Sequence, residues 1–203
     1  MEAVKYLTRD EFKRLIETIE KSKSINKLRD LTMIMLAEYC GLRISEAINI
    51  KKSYYIRELS EIFCPRMKDS NSNTLKILDR DVIKILNYYL DHTTNSSEYM
   101  FITRNGNPMG RQTAYNIFKR YCNKAGIIMD KDATFHSLKH TRGQFLADSG
   151  LDIKEVQYWL GHKNIRNTYI YFQFTRQQQQ LMYNKLENYY EKKQSIISDT
   201  LLR

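Results

Sequence analysis

Residues 136–171 read HSLKHTRGQFLADSGLDIKEVQYWLGHKNIRNTYIY, and this stretch decides how the chain is interpreted. Its pattern predicts two helices, from His136 to Ser149 and from Asp152 to Leu160, with Gly150 between them. Gly161 ends the second helix, because glycine readily adopts the left-handed conformation found just after helices. A polar segment and the aromatic cluster TYIY follow. The stretch therefore predicts helical packing beside a run of residues capable of chemistry.

Three of the four histidines in the chain, His136, His140 and His162, lie within this stretch. His136 and His140 are four residues apart and would share a helix face, as zinc-binding pairs do. The motif HSLKH lacks the glutamate that follows the first histidine in HExxH metalloproteases. In addition, Lys139 would oppose a bound divalent cation. The sequence therefore predicts no metal site.

Phosphate chemistry fits the same residues better. Transfer of a phosphodiester needs a nucleophile, cations or donors for the non-bridging oxygens, and an acid for the departing oxygen. Residues 136–171 offer all three kinds of group, in HSLKHT, LGHKNI and TYIYF. Upstream, the segment GLRISE places Arg43 at the start of a helix, where a guanidinium could grip two phosphate oxygens.

The rest of the chain is predicted to be mostly helical with one small sheet. TRDE begins an amphipathic helix at Thr8 with a capping box, and a second, more apolar helix ends at Gly41. Residues 61–78 predict a hairpin, with Pro65 favouring an edge strand. The remaining predictions are helices over 79–90, 111–124 and 176–193, and a short strand EYMFI at 98–102.

The charge balance favours a polyanionic partner. The chain has 33 basic and 23 acidic residues, a formal net charge of +10 and a pI near 9.4. Such a protein attracts nucleic acid if its charges gather on one face, although a Lys-rich composition can also reflect an AT-rich coding sequence.

Cysteine use and apolar runs indicate an intracellular protein. Cys40, Cys64 and Cys122 are odd in number and widely spaced, matching neither a disulfide framework nor a zinc-site pattern. No apolar run has the length of a signal peptide or a membrane span. The expected location is the cytoplasm, in association with DNA and without a membrane partner.

Three segments together resemble the signature boxes of the tyrosine recombinase (phage integrase) family: AEYCGLRISEAI (37–48), HSLKHT (136–141) and WLGHKNIRNTYIY (159–171). Their order, the gap of about 90 residues between the first two and the nine-residue step from His162 to Tyr171 agree with the family. The resemblance spans about residues 8–175. The segment from Gln144 through LGHKNIRNT is also similar to short, single-domain recombinases that invert fimbrial promoter DNA.

The resemblance implies a mainly α fold with a small antiparallel β-sheet, and a role for each matched residue. Arg43 and Lys139 would clamp the scissile phosphate, while His136 and His162 would hydrogen-bond it and assist proton transfer. Tyr171 would attack, leaving a 3′-phosphotyrosyl link and a free 5′-hydroxyl. No metal or nucleotide cofactor is implied.

Two assignments within the site have competitors. The family's hairpin carries a lysine that protonates the leaving 5′-oxygen, and in PRMKDSNSNTLKI Lys68 is better placed than Lys76. The chain has 15 tyrosines, and both Tyr169 and Tyr171 lie in the third box. The family spacing selects Tyr171, so Tyr169 is expected to pack or to face solvent.

The sequence departs from the family pattern in two ways. The second box usually reads His-x-x-Arg, whereas Lys139 occupies the place of the arginine and lacks its bidentate geometry. Lys139→Arg is therefore expected to keep or raise strand cleavage. The chain also begins at the catalytic domain, so residues 1–203 are expected to form one domain, either a single-domain recombinase or an excised piece that lacks the N-terminal DNA-clamping domain.

DNA contact and assembly follow from the resemblance. The helix RQTAYNIFKRYCNKAG would present a polar and basic face to duplex DNA, made of Arg111, Gln112, Tyr115 and Lys119; a solvated amphipathic helix is the alternative. Family members exchange a C-terminal segment between neighbours in a tetramer. The helix and tail at 176–203, with apolar residues in IISDTLLR, predict a homotetramer on paired DNA sites.

The sequence is compatible with two other functions. A DNA-binding regulator could keep the fold and lose activity through Lys139. A type IB topoisomerase shares the fold and chemistry but relaxes DNA without a defined site. Covalent attachment of DNA to Tyr171 separates the first alternative from a recombinase, and supercoil relaxation of unrelated plasmids would favour the second.

Overall fold

The computed structural model describes residues 6–67, 70–127, 135–172 and 176–192. These residues belong to two compact units that divide between Tyr171 and Phe172. The described part of the first unit is mainly helical with a small antiparallel sheet, which confirms the predicted fold class. The described part of the second unit contains one helix, Arg176–Lys192, close to the predicted bounds.

The helices of the first unit are α1 to α7, and its strands are β1 to β3. The helices span Arg9–Glu20 (α1), Lys27–Cys40 (α2), Ile44–Ile48 (α3), Arg80–Asp91 (α4), Arg111–Lys124 (α5), His136–Asp148 (α6) and Ile153–Leu160 (α7). The strands span Tyr55–Ile56 (β1), Glu61–Cys64 (β2) and Asn73–Lys76 (β3). The helix of the second unit is α8.

Helix α1 starts as its sequence predicts. The Thr8 hydroxyl accepts a hydrogen bond from the Glu11 backbone N–H at 3.2 Å, and the Glu11 carboxylate accepts one from the Thr8 N–H at 2.9 Å. This capping box satisfies two backbone donors that the first turn leaves unpaired. Leu15 and Ile19 then face the core and are fully buried.

Helix α2 is the centre of the core, as its nearly continuous apolar surface predicts. It packs against α1, α4 and α6, and its residues Met33 and Ile34 are completely buried. Gly41 ends the helix with a φ of +60°, and a Cβ at this position would overlap the Leu160 side chain. Only glycine accommodates both conditions. The turn at Gly41 brings the chain to Arg43, immediately before α3.

The hairpin is confirmed, but the edge-strand prediction is wrong. The sheet has the order β1-β2-β3, so Glu61–Cys64 is the middle strand, with Ile62 paired to Tyr55 on one side and Leu75 on the other. Pro65 is tolerated because it follows the last residue of β2 and therefore needs no N–H for the ladder. The two-residue strand β1 is too short to be detected from its own sequence.

The predicted strand at 98–102 is also wrong. Residues 98–102 instead make two isolated bridges, Lys51 with Tyr99 and Ile102 with Pro108. Met100 and Phe101 are adjacent in sequence and both are fully buried in the core. A strand needs consecutive residues bridged to one neighbouring segment, whereas these two bridges go to different segments, so no strand forms here.

The other helices agree with their predictions. The Asp79 side chain caps α4, and α5 buries Ile117, Phe118 and Tyr121 on its inward face. Gly150 separates α6 from α7 with a φ of +88°. Among the helices that the structure describes, none combines the length and apolar character needed to cross a membrane.

Candidate active site

A cavity of about 690 Å³ opens where three helices of the first unit begin. Arg43 lies immediately before α3, His136 begins α6, and Arg111, Gln112 and Tyr115 lie on the first turns of α5. All five side chains line this cavity. The structure therefore joins two predicted phosphate ligands to three predicted DNA-binding residues in a single concave surface.

Arg43 is oriented by a buried carboxylate. Its Nη1 donates to Glu46 Oε1 at 2.9 Å and to the Ser70 hydroxyl at 2.9 Å, and its backbone N–H donates to Glu46 Oε2 at 2.8 Å. Burial would raise the pKa of Glu46, but Lys139 and these hydrogen bonds outweigh burial and lower it. Glu46 therefore stays ionised and holds the guanidinium, while the Arg43 side chain remains 31% exposed.

His162 directly follows Gly161, the residue that ends α7. Gly161 has a φ of +65°, and a Cβ on it would lie 2.6 Å from the backbone oxygen of Asn71. The Asn71 N–H donates to the Gly161 carbonyl at 2.9 Å, so the hairpin loop contacts the chain directly before His162. The His162 Nδ1 lies 3.0 Å from the Thr168 hydroxyl. Burial, followed by the charges of Lys139 and Arg43, lowers the pKa of His162 to about 3.

Lys139 contacts a helix end. Its side chain is 1% exposed, and its Nζ donates to the Leu160 carbonyl at 2.7 Å. Burial and the nearby Arg66 lower the pKa of Lys139 to about 7, although Glu46 opposes the shift. Lys139 thus sits among the site residues with its ammonium on the last turn of α7, where a cation is favourable because the carbonyls there are unpaired.

Arg66 is a site residue that the sequence interpretation missed. Its guanidinium is fully buried and donates to the carbonyls of Cys40, Gly41 and Trp159 at 2.8 to 2.9 Å. These carbonyls belong to the ends of α2 and α7, just ahead of Arg43 and His162 respectively. In the sequence CPRMK nothing distinguishes such an arginine from a solvated one, because its acceptors are distant backbone atoms.

Tyr171 is buried against α6, with 4% of its surface exposed. Its hydroxyl lies 2.9 Å from the Nδ1 of His140, and its ring is nearly parallel to that of His162, with centroids 6.5 Å apart. Burial raises the pKa of Tyr171 well above its usual value, while Arg43 acts in the opposite direction. In contrast, Tyr169 is 56% exposed and faces solvent.

The rings of His136 and His140 connect the cavity to Tyr171. Their centroids are 4.5 Å apart with an interplanar angle of 80°, and the His140 and Tyr171 centroids are 5.9 Å apart. His136 is exposed at the cavity, whereas His140 is half-buried behind it. The sequence interpretation considered His140 only as a metal ligand, and its proximity to Tyr171 was not visible in the spacing.

The remaining predicted site residues are Lys68 and Lys119. Lys68 lies outside the described residues. Lys119 borders a different hollow of about 450 Å³, on α5 beside Arg120. Lys76, which competes with Lys68 for the role of the hairpin lysine, is exposed at the end of β3. Within the described ranges, no group of three or more His, Cys, Asp or Glu side chains could hold a metal ion.

The sequence matches the Phage integrase family over residues 5–178, and the chain belongs to this family. It is 33% identical over 174 residues to tyrosine recombinase XerA of Pyrococcus furiosus, covering 84% of this chain and 58% of that protein. It is 30% identical over 169 residues to the type 1 fimbriae regulatory protein FimB of Escherichia coli K12, covering 82% of each. The chain therefore spans a little over half the length of the first relative.

Solved structures share the fold. A crystal structure of XerA recombinase superposes with a TM-score of 0.75 and 26% identity, covering 96% of this chain and 66% of that one. XerH site-specific recombinase bound to palindromic difH substrate gives a TM-score of 0.74 at 22% identity, covering 92% and 54%. The three sequence boxes thus lie within a fold that recombinases of known structure use.

Proposed function

We propose that this chain is the catalytic domain of a site-specific recombinase that cuts and rejoins duplex DNA through a covalent link to Tyr171. The observation that carries the proposal is the position of Tyr171. Its hydroxyl lies beside His140, its ring is parallel to that of His162, and the charge of Arg43 favours its ionised form. The adjoining cavity, lined by Arg43 and His136, has room for a phosphate. Family membership over most of the chain supports the same activity.

In the proposed reaction the phenol of Tyr171 gives its proton to a neutral histidine of the site, and its oxygen forms a bond to phosphorus while the bond from phosphorus to the 5′-oxygen breaks. Arg43 and Lys139 offset charge on the non-bridging oxygens, and His136 and His162 hydrogen-bond to them. Each such donor typically lowers the barrier by about 3 kcal/mol. The product is a 3′-phosphotyrosyl ester and a free 5′-hydroxyl.

The reaction also needs a proton for the leaving 5′-oxygen and a source of energy for rejoining the strands. We assign the proton donor for the 5′-oxygen to Lys68, two residues after the buried Arg66 that anchors this part of the chain. The phosphotyrosyl bond conserves the energy of the phosphodiester, so a second DNA end can displace Tyr171 without a nucleotide cofactor. The cations are needed because a phenol has a reference pKa of about 10 and burial raises that of Tyr171.

The direct test is to identify the residue that becomes linked to DNA. A pool of nicked duplexes with a randomised core would be incubated with the protein, and covalent complexes would be isolated in denaturant, digested and mapped by mass spectrometry. We expect a nucleotide on the peptide that contains Tyr171, and sequencing of the captured DNA would give the preferred site. Absence of any adduct, or an adduct elsewhere, would contradict the proposal.

Lys139 should give the free enzyme a specific pH dependence. Its pKa of about 7 means that the ammonium is charged below that pH and neutral above it. At subsaturating DNA, cleavage by the wild type should therefore fall as pH rises above 7, by roughly tenfold per pH unit if the ammonium is required. Lys139→Arg should remove this fall, because a guanidinium stays charged.

The measurement is single-turnover formation of covalent complex between pH 6 and 9. His140 and His162 titrate well below this range, so they do not contribute to the expected fall. A parallel fall in wild type and Lys139→Arg would remove Lys139 as its source, and a clear loss of cleavage by Lys139→Arg at pH 7 would contradict its role as a phosphate clamp.

The cavity face of α5 is proposed to bind duplex DNA. Arg111, Gln112 and Tyr115 border the same cavity as Arg43, so DNA whose phosphate reaches Arg43 also passes this helix. Arg111→Ala should weaken duplex binding and reduce the slope of log K against log salt by about 1, since one phosphate contact is lost. Lys84→Ala, an exposed lysine on α4 away from this cavity, should leave the slope unchanged. Equal slopes for both variants and the wild type would argue against this surface.

We further propose that the protein acts in the cytoplasm as a homotetramer on paired DNA sites, with exchange of residues 194–203 between neighbours. This segment lies outside the described residues, and the support is its apolar content and the family relationship. Deletion of residues 194–203 should impair recombination between two sites more than binding to one site. Equal losses in a two-site recombination assay and a one-site gel shift would contradict the exchange.

A further inference from the structure

The Tyr171 hydroxyl has a direct partner to which the proposed reaction assigns no role. His140 Nδ1 lies 2.9 Å from this hydroxyl, within hydrogen-bonding distance. His140 is on α6, one residue after Lys139 and one turn after His136, so the helix that carries two proposed phosphate ligands also contacts the nucleophile. This contact fixes the direction of the hydroxyl hydrogen, and with it the directions of the lone pairs on the oxygen that would attack phosphorus.

The protonation states allow the hydroxyl to donate. Burial, followed by the neighbouring His136 and Lys139, lowers the pKa of His140 to about 4, so the imidazole is neutral near pH 7. Burial also keeps the phenol protonated. With the ring proton of His140 on Nε2, Nδ1 accepts the hydrogen bond and the oxygen of Tyr171 keeps its lone pairs free for attack.

The ring of Tyr171 is also confined by its neighbours. Gly143 lies three residues after His140 on the same face of α6, and a Cβ there would lie 2.6 Å from both Cε atoms of the Tyr171 ring. The His162 ring lies parallel to the phenol at an angle of 11°. Gly143 on one side and the His162 ring nearby confine the phenol ring to one position, which we call its seat. The contact with His140 then selects the orientation of the hydroxyl within that seat.

We propose that His140 is a positioning residue for Tyr171, accepting the hydrogen bond of the phenol hydroxyl and orienting it before attack. The inference rests on the proposed function, because it assigns the hydroxyl to phosphoryl transfer. It differs from the roles of His136 and His162, which act on the phosphate. His140 is assigned a role that acts through Tyr171, without a contact of its own with DNA.

Single-turnover cleavage at saturating DNA tests the proposal with two variants. His140→Leu removes the acceptor and should lower the rate constant about tenfold, with unchanged DNA affinity, because a buried hydroxyl loses its partner. His140→Asn can place an amide oxygen near the position of Nδ1 and should stay within about threefold of the wild type. His92→Leu, at an exposed position directly after α4, is the control and should have no effect.

A second measurement reports on the phenol without requiring catalysis. With 3-fluorotyrosine incorporated at position 171, the ¹⁹F spectrum should show one narrow resonance in the wild type and in His140→Asn, and a broadened or divided resonance in His140→Leu. An unchanged spectrum and rate in His140→Leu would overturn the proposal. So would His140→Asn being as slow as His140→Leu, since an acceptor alone would then be insufficient.

The two measurements also separate this inference from the proposed function. If the wild type forms no covalent complex with any DNA, the proposed function fails, and a positioning role in cleavage fails with it. If the wild type does cleave, but loss of the acceptor changes neither the fluorine resonance nor the rate, the proposed function stands and the role of His140 alone is overturned.

Discussion

Tyr171→Phe is expected to abolish covalent attachment of DNA, whereas Tyr169→Phe should leave it within about twofold of the wild type. The phenol oxygen of Tyr171 is the atom that would bond to phosphorus, and phenylalanine has no nucleophilic atom in its place. The substitution keeps the ring in its seat against Gly143 and removes one hydrogen bond, at a stability cost of about 1 kcal/mol. A denaturing gel with labelled, nicked duplex measures the attachment directly.

Tyr169 is a close control because it lies two residues away in the single 3₁₀ turn Tyr169–Phe172 and is 56% exposed. DNA binding by both variants should equal that of the wild type, so that any loss belongs to the chemical step. Residual covalent complex in Tyr171→Phe, or a loss in Tyr169→Phe comparable to that in Tyr171→Phe, would place the nucleophile elsewhere.

Gly143→Ala is expected to lower cleavage on the order of 100-fold while leaving the fold intact. The new methyl group would collide with the Tyr171 ring, which must then leave its seat, and a displacement of about 1 Å in a reacting group can cost about this factor. Alanine is favoured over glycine inside a helix by about 1 kcal/mol, so α6 itself should not unfold. Single-turnover cleavage and thermal unfolding, measured together, distinguish loss of activity from loss of structure.

Gly110→Ala provides the matched substitution for this experiment. A Cβ at Gly110 would meet nothing closer than the Thr113 hydroxyl at 3.9 Å, which is an ordinary contact. Cleavage should therefore change little in this variant. If Gly143→Ala cleaves DNA as fast as the wild type, the phenol does not attack from the seat between α6 and His162.

The helices were predictable because each depends on local sequence. The capping box at Thr8, the left-handed glycines at positions 41 and 161 and the apolar spacing of α5 all act within a few residues. The sheet was less predictable. Strand β1 has two residues, and the position of Pro65 beside the middle strand depends on where that strand ends. The segment at 98–102 makes two single bridges to different segments, which no local pattern reveals.

The spacing of the boxes predicted Arg43, His136, His162 and Tyr171 as residues of the site. The structure places these four side chains around one region. The spacing could not reveal the partners of those side chains. Arg66 acts on carbonyl groups at the ends of two helices, and His140 acts on a hydroxyl 31 residues away. Such contacts depend on the packing of α2, α6 and α7, so they become visible only when the tertiary structure is known.

The sequence by itself determined the family and the order of the helices and led to the proposal of Tyr171 as nucleophile, because these follow from residue identity and spacing along the chain. Only the tertiary structure decided the environment of these residues: the buried hydroxyl of Tyr171 beside His140, the seat at Gly143, and the ammonium of Lys139 on the Leu160 carbonyl. The physical reason is that desolvation and charge at a buried group are set by neighbours distant in sequence, and these neighbours fix its pKa and its orientation.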